Sequence, residues 1–159
     1  FSVNLRGPFM LSRAIARHML AASIQGSIVN ISSGAGSSAR TGGSHYCGSK
    51  AALEMLTKVM AIELGPQQIR VNAVAPGLIL DEVLTLPVPE DTNAYVKTLL
   101  NGIPLRQTGR PEDIANAVVF LCSERATWVN GEIFGVNGGS QAGRTHLPPS
   151  SNRPAASDG

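Results

Sequence analysis

The apolar positions of the chain fall into segments that alternate between helical and strand spacing. Residues 1–22 carry apolar side chains three or four positions apart, which predicts an amphipathic helix with an interruption where Gly7 precedes Pro8. Further helices are predicted over residues 45–64 and 111–123, and a short one over residues 93–100. Short β-branched runs predict buried strands over residues 27–32, 69–75 and 132–136.

Strands that alternate with amphipathic helices predict an α/β fold with a parallel sheet. Ligands of such sheets bind beyond the carboxyl ends of the strands, so we expect the functional residues in the loops that follow these strands. Trp128 and Phe134 are expected to be packing residues. From Ser140 onward the chain shows no periodicity, which predicts a folded part over residues 1–139 and a disordered tail over residues 140–159.

The composition narrows the classes of function. A hydrophobic fraction of 43% with 15% charged residues is typical of a globular chain, and a net charge of +2 without basic runs argues against a nucleic-acid partner. No apolar run approaches the roughly 18 residues of a membrane span. Cys47 and Cys122 form neither a CxxC motif nor a disulfide framework, and no metal site is predicted. We therefore expect a cytoplasmic protein.

Tyr46 and Lys50 are four residues apart near the start of a predicted helix, where this spacing places both side chains on one face. Free tyrosine titrates at about pH 10 and is a poor acid–base group at neutral pH. A nearby ammonium group favours the phenolate, which gives this pair a chemical purpose. The alternative interpretation is an ordinary helix start with a solvated lysine.

Ser33 follows the first predicted strand and precedes Tyr46 by thirteen residues. A hydroxyl at the end of a parallel strand can lie close to a tyrosine on the next helix, so that both side chains can hydrogen-bond the same carbonyl oxygen of a substrate. The two groups would then supply an acid and a polarising donor, which carbonyl reduction needs. Ser32 is the alternative serine, and either one could instead be a loop or cap residue.

Six motifs occur in one order along the predicted folded part: VNLRG with Asn4, NISS with Ser33, YCGSKAAL from Tyr46, RVNAVAPG from Arg70, GRPEDIA from Gly109 and NGEIFGVNGG from Asn130. Together they closely resemble the C-terminal portion of classical short-chain dehydrogenases/reductases, most of all the carbonyl and xylulose reductases or the 3-oxoacyl-ACP reductases. The resemblance implies a Rossmann-like, doubly wound parallel sheet of which the chain holds only the C-terminal half. It places the Gly-rich pyrophosphate turn before Phe1 and makes the G-x-G-x-x-A match over residues 34–39 a substrate-side loop.

The same resemblance implies roles for four residues. Tyr46 is the general acid in reduction and the general base in oxidation, and Lys50 stabilises its phenolate and holds the ribose of the nicotinamide. Ser33 orients and polarises the carbonyl. Asn4 holds a water that links Lys50 to solvent.

The implied cofactor is NAD or NADP, and the resemblance assigns these residues to it: Tyr46, Lys50, Pro76, Gly77 and Ile79. One position departs from the family pattern. Asp81 stands where many members have a threonine that meets the cofactor, and an acid near a pyrophosphate is unfavourable. Thr85 or the backbone is the expected substitute.

The chain is thus interpreted as an NAD(P)-dependent oxidoreductase that acts on a small carbonyl compound or secondary alcohol. We expect the apolar segment 78–109 to cover the bound substrate. The resemblance also implies a homo-oligomer that pairs helices 1–22 and 45–64 between subunits. Because one half of the domain is missing from the sequence, the 159 residues alone are expected to be inactive. The alternatives are a truncated relative that serves as an oligomerisation or regulatory subunit, and an NAD(P)-binding sensor without turnover.

Overall fold

A computed structural model gives the fold and describes residues 1–143. After a π-helical turn, Ser2–Arg6, four α-helices and three β-strands follow in the chain order α1 Gly7–Ala21, β1 Gly26–Ile31, α2 Ser44–Leu64, β2 Ile69–Pro76, α3 Ala94–Asn101, α4 Pro111–Cys122 and β3 Ile133–Val136. Three 3-10 turns lie between them, at Gly34–Gly36, Gly65–Gln67 and Glu124–Ala126. Every helix and strand predicted from the hydrophobic pattern is present, within a residue or two of its predicted bounds except at the first helix.

The strands form one parallel sheet in the order β1-β2-β3. Gly26 pairs with Ile69 at one end of the β1–β2 ladder, and Ala73 pairs with Ile133 where β3 begins. The connections between these strands contain helices, as parallel pairing requires. The predicted α/β class is confirmed.

Helices cover both faces of the sheet, because neighbouring strand residues point to opposite sides. Ile28 and Val71 pack on one face in a cluster with buried residues of α1 and α2. Val29 and Val74 pack on the other face with Ala117 and other residues of α4. Two layers of helix around one sheet confirm the doubly wound architecture and fix the carboxyl ends of the strands at one edge.

The first predicted helix begins as a π-helical turn. The backbone N–H of Gly7 bonds to the carbonyl oxygen of Ser2, and that of Arg6 bonds to Phe1 at 3.1 Å, each five residues back. Pro8 has no N–H and crowds the preceding turn, so regular α-helix starts only at Gly7. The predicted interruption is therefore a widened turn before Pro8 rather than a bend after it.

Buried amide side chains hold β2 to the segment before β3. Asn72 is fully buried, donates to the carbonyl oxygen of Val129 at 2.9 Å and accepts from the backbone N–H of Glu132 at 2.9 Å. Asn130 accepts from the N–H of Val71 and donates to the carbonyl oxygen of Ala61. These bonds give the motifs RVNAVAPG, with Asn72, and NGEIFGVNGG, with Asn130, a structural role in the fold.

Apolar surface remains open beside β1. Within residues 1–143, β1 has a partner strand on one side only. A groove of about 650 Å³ lies along it and includes Leu11, Ile15 and Ile31, of which Leu11 is 66% exposed and Ile31 47%. This edge is a surface on which another strand could pair.

Two further expectations meet the structure here. Trp128 was expected to be a packing residue but is 99% exposed. Phe134 contacts the ring of Phe120, with 6.2 Å between the centroids, although it is 40% exposed. Of the expected tail, residues 140–143 are described, and residues 144–159 lie outside the described part. None of the helices in the described part is long and apolar enough to span a bilayer.

Candidate active site

The carboxyl ends of the three strands meet at one edge of the sheet. β1 leads into Ser32 and Ser33, β2 ends at Pro76, and β3 leads into Asn137. Two cavities open at this edge, one of about 480 Å³ and one of about 600 Å³. Four of the predicted site residues line both cavities, namely Ser33, Tyr46, Pro76 and Gly77. Lys50 and Ile79 line only the larger cavity, and Asn4 lines neither.

Tyr46 and Lys50 lie one turn apart in the first part of α2, and both are half-buried. The Nζ atom of Lys50 is 5.9 Å from the centroid of the Tyr46 ring. It also donates a hydrogen bond of 2.9 Å to the carbonyl oxygen of Ile31, the last residue of β1. A hydrogen bond to the carboxyl end of β1 holds the cation near the tyrosine.

The two candidate serines occupy different environments. Ser32 is 3% exposed, and its hydroxyl donates at 2.8 Å to Oε1 of the buried Glu54. Ser33 is half-buried, lines both cavities and accepts from the backbone N–H of Ala35 at 3.2 Å. The hydroxyl hydrogen of Ser33 is therefore available to a ligand, which favours Ser33 over Ser32 as the site residue.

Asn4 reaches α2 from the π-helical turn. Its Nδ2 donates to Oγ of Ser49 at 3.2 Å, and Ser49 Oγ donates to the backbone carbonyl oxygen of Tyr46 at 2.8 Å. Ser49 is 1% exposed, so this link is shielded from solvent. Asn4 is thus connected to the backbone of Tyr46, and π-helical turns often occur at functional positions.

The larger cavity is lined by Lys50, by Pro76 at the end of β2, and by Gly77 and Ile79 in the segment that follows β2. A Cβ on Gly77 would come within 2.7 Å of Asn137 Cα, so only glycine lets the two loops pack. Ile79 forms an isolated β-bridge with Gly109. The backbone N–H of Leu80, the next residue, donates a hydrogen bond to the carbonyl oxygen of Gly109.

Asp81 and Thr85 do not line either cavity. Both side chains are exposed, and Thr85 takes part in a bridge with Gln107 at the far side of the segment. The structure therefore places the departure from the family pattern outside the two cavities.

The smaller cavity is the one that segment 78–109 covers. Helix α3 contributes Tyr95, Thr98 and Leu99 to its lining, with Leu78 from the chain after β2. Residues of the segment that is predicted to cover the substrate therefore form part of the lining of this cavity. The lining from this segment combines apolar side chains with the hydroxyl groups of Tyr95 and Thr98.

Two residues of this cavity escaped the sequence interpretation. Arg40 lies 5.2 Å from the centroid of the Tyr46 ring and donates to the hydroxyl of Tyr95 at 2.7 Å. Gln141, placed in the predicted tail, donates to the carbonyl oxygen of Gly34 at 2.7 Å and also to Ser37 Oγ. Neither residue lies in a periodic segment, so hydrophobic spacing gives no signal for either.

Within the described residues, no group of three or more His, Cys, Asp or Glu side chains is arranged to hold a metal ion. The side chains that line the two cavities include hydroxyl, phenol, ammonium and guanidinium groups. Such groups can donate and accept protons and can hold a polar ligand by hydrogen bonds.

Comparisons with known proteins identify similar chains. A family model described as Enoyl-(Acyl carrier protein) reductase matches residues 1–141. The L-xylulose reductase of Homo sapiens is 43% identical over 139 residues, which are 87% of this chain and 56% of that protein. The 3-oxoacyl-(acyl-carrier-protein) reductase of Thermotoga maritima is 39% identical over 138 residues, with 87% and 54% covered.

Solved structures are similar as well. A 4-hydroxyisoleucine dehydrogenase complexed with NADH and succinate superposes with a TM-score of 0.78 at 38% identity, covering 89% of this chain and 57% of that one. The chain spans about half the length of the curated relatives it matches.

Proposed function

Since the chain belongs to the short-chain dehydrogenase/reductase family, we propose that it carries the proton-transfer and substrate-binding part of an NAD(P)-dependent oxidoreductase. The reaction is reversible reduction of a carbonyl group to a secondary alcohol. The observation that carries the proposal is that Ser33 and Tyr46 line the same two cavities at the carboxyl edge of the sheet, with Lys50 one turn further along α2.

In this proposal Tyr46 moves the proton. Its hydroxyl gives a proton to the carbonyl oxygen during reduction and takes one from the alcohol during oxidation. The ammonium group of Lys50, held 5.9 Å from the ring centroid by Ile31, stabilises the phenolate left behind. The hydroxyl of Ser33 donates to the same substrate oxygen and orients it.

In this proposal Asn4 does not contact the substrate but acts through the backbone of Tyr46, to which Ser49 connects it. The bonds from Asn4 to Ser49 and from Ser49 to the carbonyl of Tyr46 hold the first turn of α2 against the π-helical turn. These bonds support a positioning role for Asn4, and the further role of holding a water that links Lys50 to solvent is proposed from the family resemblance alone.

The larger cavity is the proposed cofactor side. When bound there, NAD or NADP supplies or accepts the hydride. The donor set suits a ribose and a carboxamide, because Lys50 Nζ has three N–H donors and Ile31 takes one of them in the described structure. Pro76, Gly77 and Ile79 supply the backbone on the opposite wall.

The substrate side is the smaller cavity, of about 480 Å³. Its mixed lining suits a small molecule with an alkyl part and polar ends. Incubating the full native protein with NADH or NADPH and a panel of small carbonyl compounds tests this proposal. Cofactor oxidation that depends on a carbonyl compound supports it, and no oxidation with any member of the panel contradicts it.

The 159 residues alone are expected to be inactive. The open edge of β1 and its apolar groove expose surface that favours pairing with other chains over a stable monomer. The purified 159-residue chain should aggregate and show no carbonyl-dependent cofactor oxidation. Cooperative unfolding of a soluble chain together with specific NADH binding would contradict this expectation.

We also propose that the protein forms a homo-oligomer through α1 and α2. On α2, an exposed apolar stripe is formed by Met55, Val59 and Ile62, which are 60%, 42% and 78% exposed. A second copy is the proposed occupant, because the resemblance pairs these helices between subunits. The cytoplasmic location stays a prediction.

A further inference from the structure

Arg40 occupies a defined position at the mouth of the smaller cavity. It lies in the loop between β1 and α2, and its guanidinium carbon is 5.2 Å from the centroid of the Tyr46 ring. Its Nη1 donates a hydrogen bond of 2.7 Å to the hydroxyl of Tyr95 on α3. The guanidinium is thus held between the proposed acid–base residue and the helix that covers the cavity.

The charge of Arg40 has no counterpart in this cavity. Among the described residues that line it, Arg40 is the one side chain with a formal charge, and no Asp or Glu is present. A guanidinium carries five N–H donors, and the Tyr95 hydroxyl takes one in the described part of the chain. The remaining donors are free to meet a ligand that enters between Arg40 and Tyr46.

We propose that Arg40 binds a carboxylate of the substrate, so that the substrate class is oxo and hydroxy carboxylic acids. This inference rests on the proposed function. The planar fork of a guanidinium matches the two oxygens of a carboxylate. One cation suits one carboxylate, whereas a polyanion would require several, and Leu78, Leu99 and Ile103 provide an apolar wall for the chain between the two groups.

The carboxylate takes no part in the chemistry. In reduction the carbonyl carbon accepts a hydride from NADH or NADPH, and the carbonyl oxygen accepts a proton from Tyr46, so the ketone becomes a secondary alcohol and the cofactor is oxidised. Since Arg40 lies close to the Tyr46 ring, the carboxylate and the reacting carbon are separated by a few bonds. Arg40 is therefore a specificity residue, which sets the orientation of the acid.

An ordinary solvated arginine would lie in the same loop without affecting the choice of substrate. Substrate pairs in which the carboxylate is replaced by its neutral methyl ester separate the two interpretations. The probes are 2-oxobutyrate, acetoacetate and levulinate, each compared with its methyl ester, using the full native protein and both cofactors. The proteins are wild type, Arg40→Met, Arg40→Lys, and Arg125→Met as a control at an exposed arginine outside the cavity.

For at least one pair, wild type should prefer the acid over the ester. Arg40→Met should lower kcat/KM for that acid by about tenfold to 100-fold, mainly by raising KM, and should change the value for the ester by less than about twofold. Arg40→Lys should keep part of the preference, and Arg125→Met all of it.

Wild-type preference for the ester in all three pairs would overturn the inference and leave the proposed function standing. The same conclusion follows if Arg40→Met lowers acid and ester equally, since Arg40 would then act on Tyr46 or on the loop. Absence of cofactor oxidation with all six compounds and with neutral ketones would contradict the proposed function and the inference together.

Discussion

Lys50 donates a hydrogen bond of 2.9 Å from its Nζ to the carbonyl oxygen of Ile31, at the carboxyl end of β1. The bond ties a cation on α2 to the central sheet across nineteen residues of sequence. A lysine in solvent would sample many rotamers, whereas this one is kept 5.9 Å from the centre of the Tyr46 ring. The parallel sheet therefore sets the distance on which the proposed proton transfer depends.

Replacing Lys50 by methionine should remove the charge and keep the packing of the side chain. We expect kcat to fall by about 100-fold or more, because the phenolate of Tyr46 loses its stabilising cation. Steady-state kinetics of the full native protein measure the effect. Lys58→Met, at an exposed position on the same helix, is the matched control and should change kcat by less than about twofold. Equal losses in the two variants would contradict the role of Lys50.

The two serines after β1 should separate activity from stability. Ser33→Ala should lower kcat/KM by about tenfold to 100-fold with little change in the free energy of unfolding, because the hydroxyl acts on the substrate. Ser32→Ala should instead lower the free energy of unfolding by about 1–3 kcal/mol, because the buried Glu54 loses a hydrogen-bond donor. Denaturant titration and kinetics of both variants measure the difference. The reverse pattern would assign the catalytic role to Ser32.

The exposed apolar stripe on α2, formed by Met55, Val59 and Ile62, predicts that the protein forms a homo-oligomer through this helix. Ile62→Glu places a charge at a position that is 78% exposed in the chain described here and would be buried against a second copy. The variant should show a lower molar mass than wild type in analytical ultracentrifugation, with an unchanged circular dichroism spectrum. Glu63→Gln, next to it on the helix, serves as the control and should leave the mass unchanged. A wild-type protein that sediments as a monomer would remove this proposal.

The hydrophobic pattern was sufficient for the fold because its periodicity is strong and its breaks are chemically clear. Gly65 and Pro66 end α2, and Pro111 begins α4 within a residue of the expected positions. Tyr46 and Lys50 could be paired from spacing alone, since helix geometry places residues four apart on one face. The position of Ser33 and Tyr46 at the same cavities follows from the sheet and not from sequence spacing alone, because parallel strands bring successive loops to one edge.

Other features depend on contacts that leave no local pattern. Arg40 and Tyr95 are 55 residues apart and meet only because α3 folds over the cavity. Gln141 lies in a segment of small polar residues, and its bonds to Gly34 and Asn137 follow from where β3 ends. Trp128 was expected to be a packing residue, but its side chain lies on the surface and is 99% exposed.

The most direct measurement is the rate of hydride transfer by Tyr46→Phe in the full native protein. The substitution removes one oxygen atom and keeps the ring in its contacts with Arg40 and Lys50. We expect kcat for carbonyl reduction to fall by about 100-fold to 10,000-fold, while NADH or NADPH still binds and the thermal midpoint stays close to that of wild type. A Tyr46→Phe protein that keeps the wild-type rate would contradict the assignment of Tyr46 as the acid–base residue.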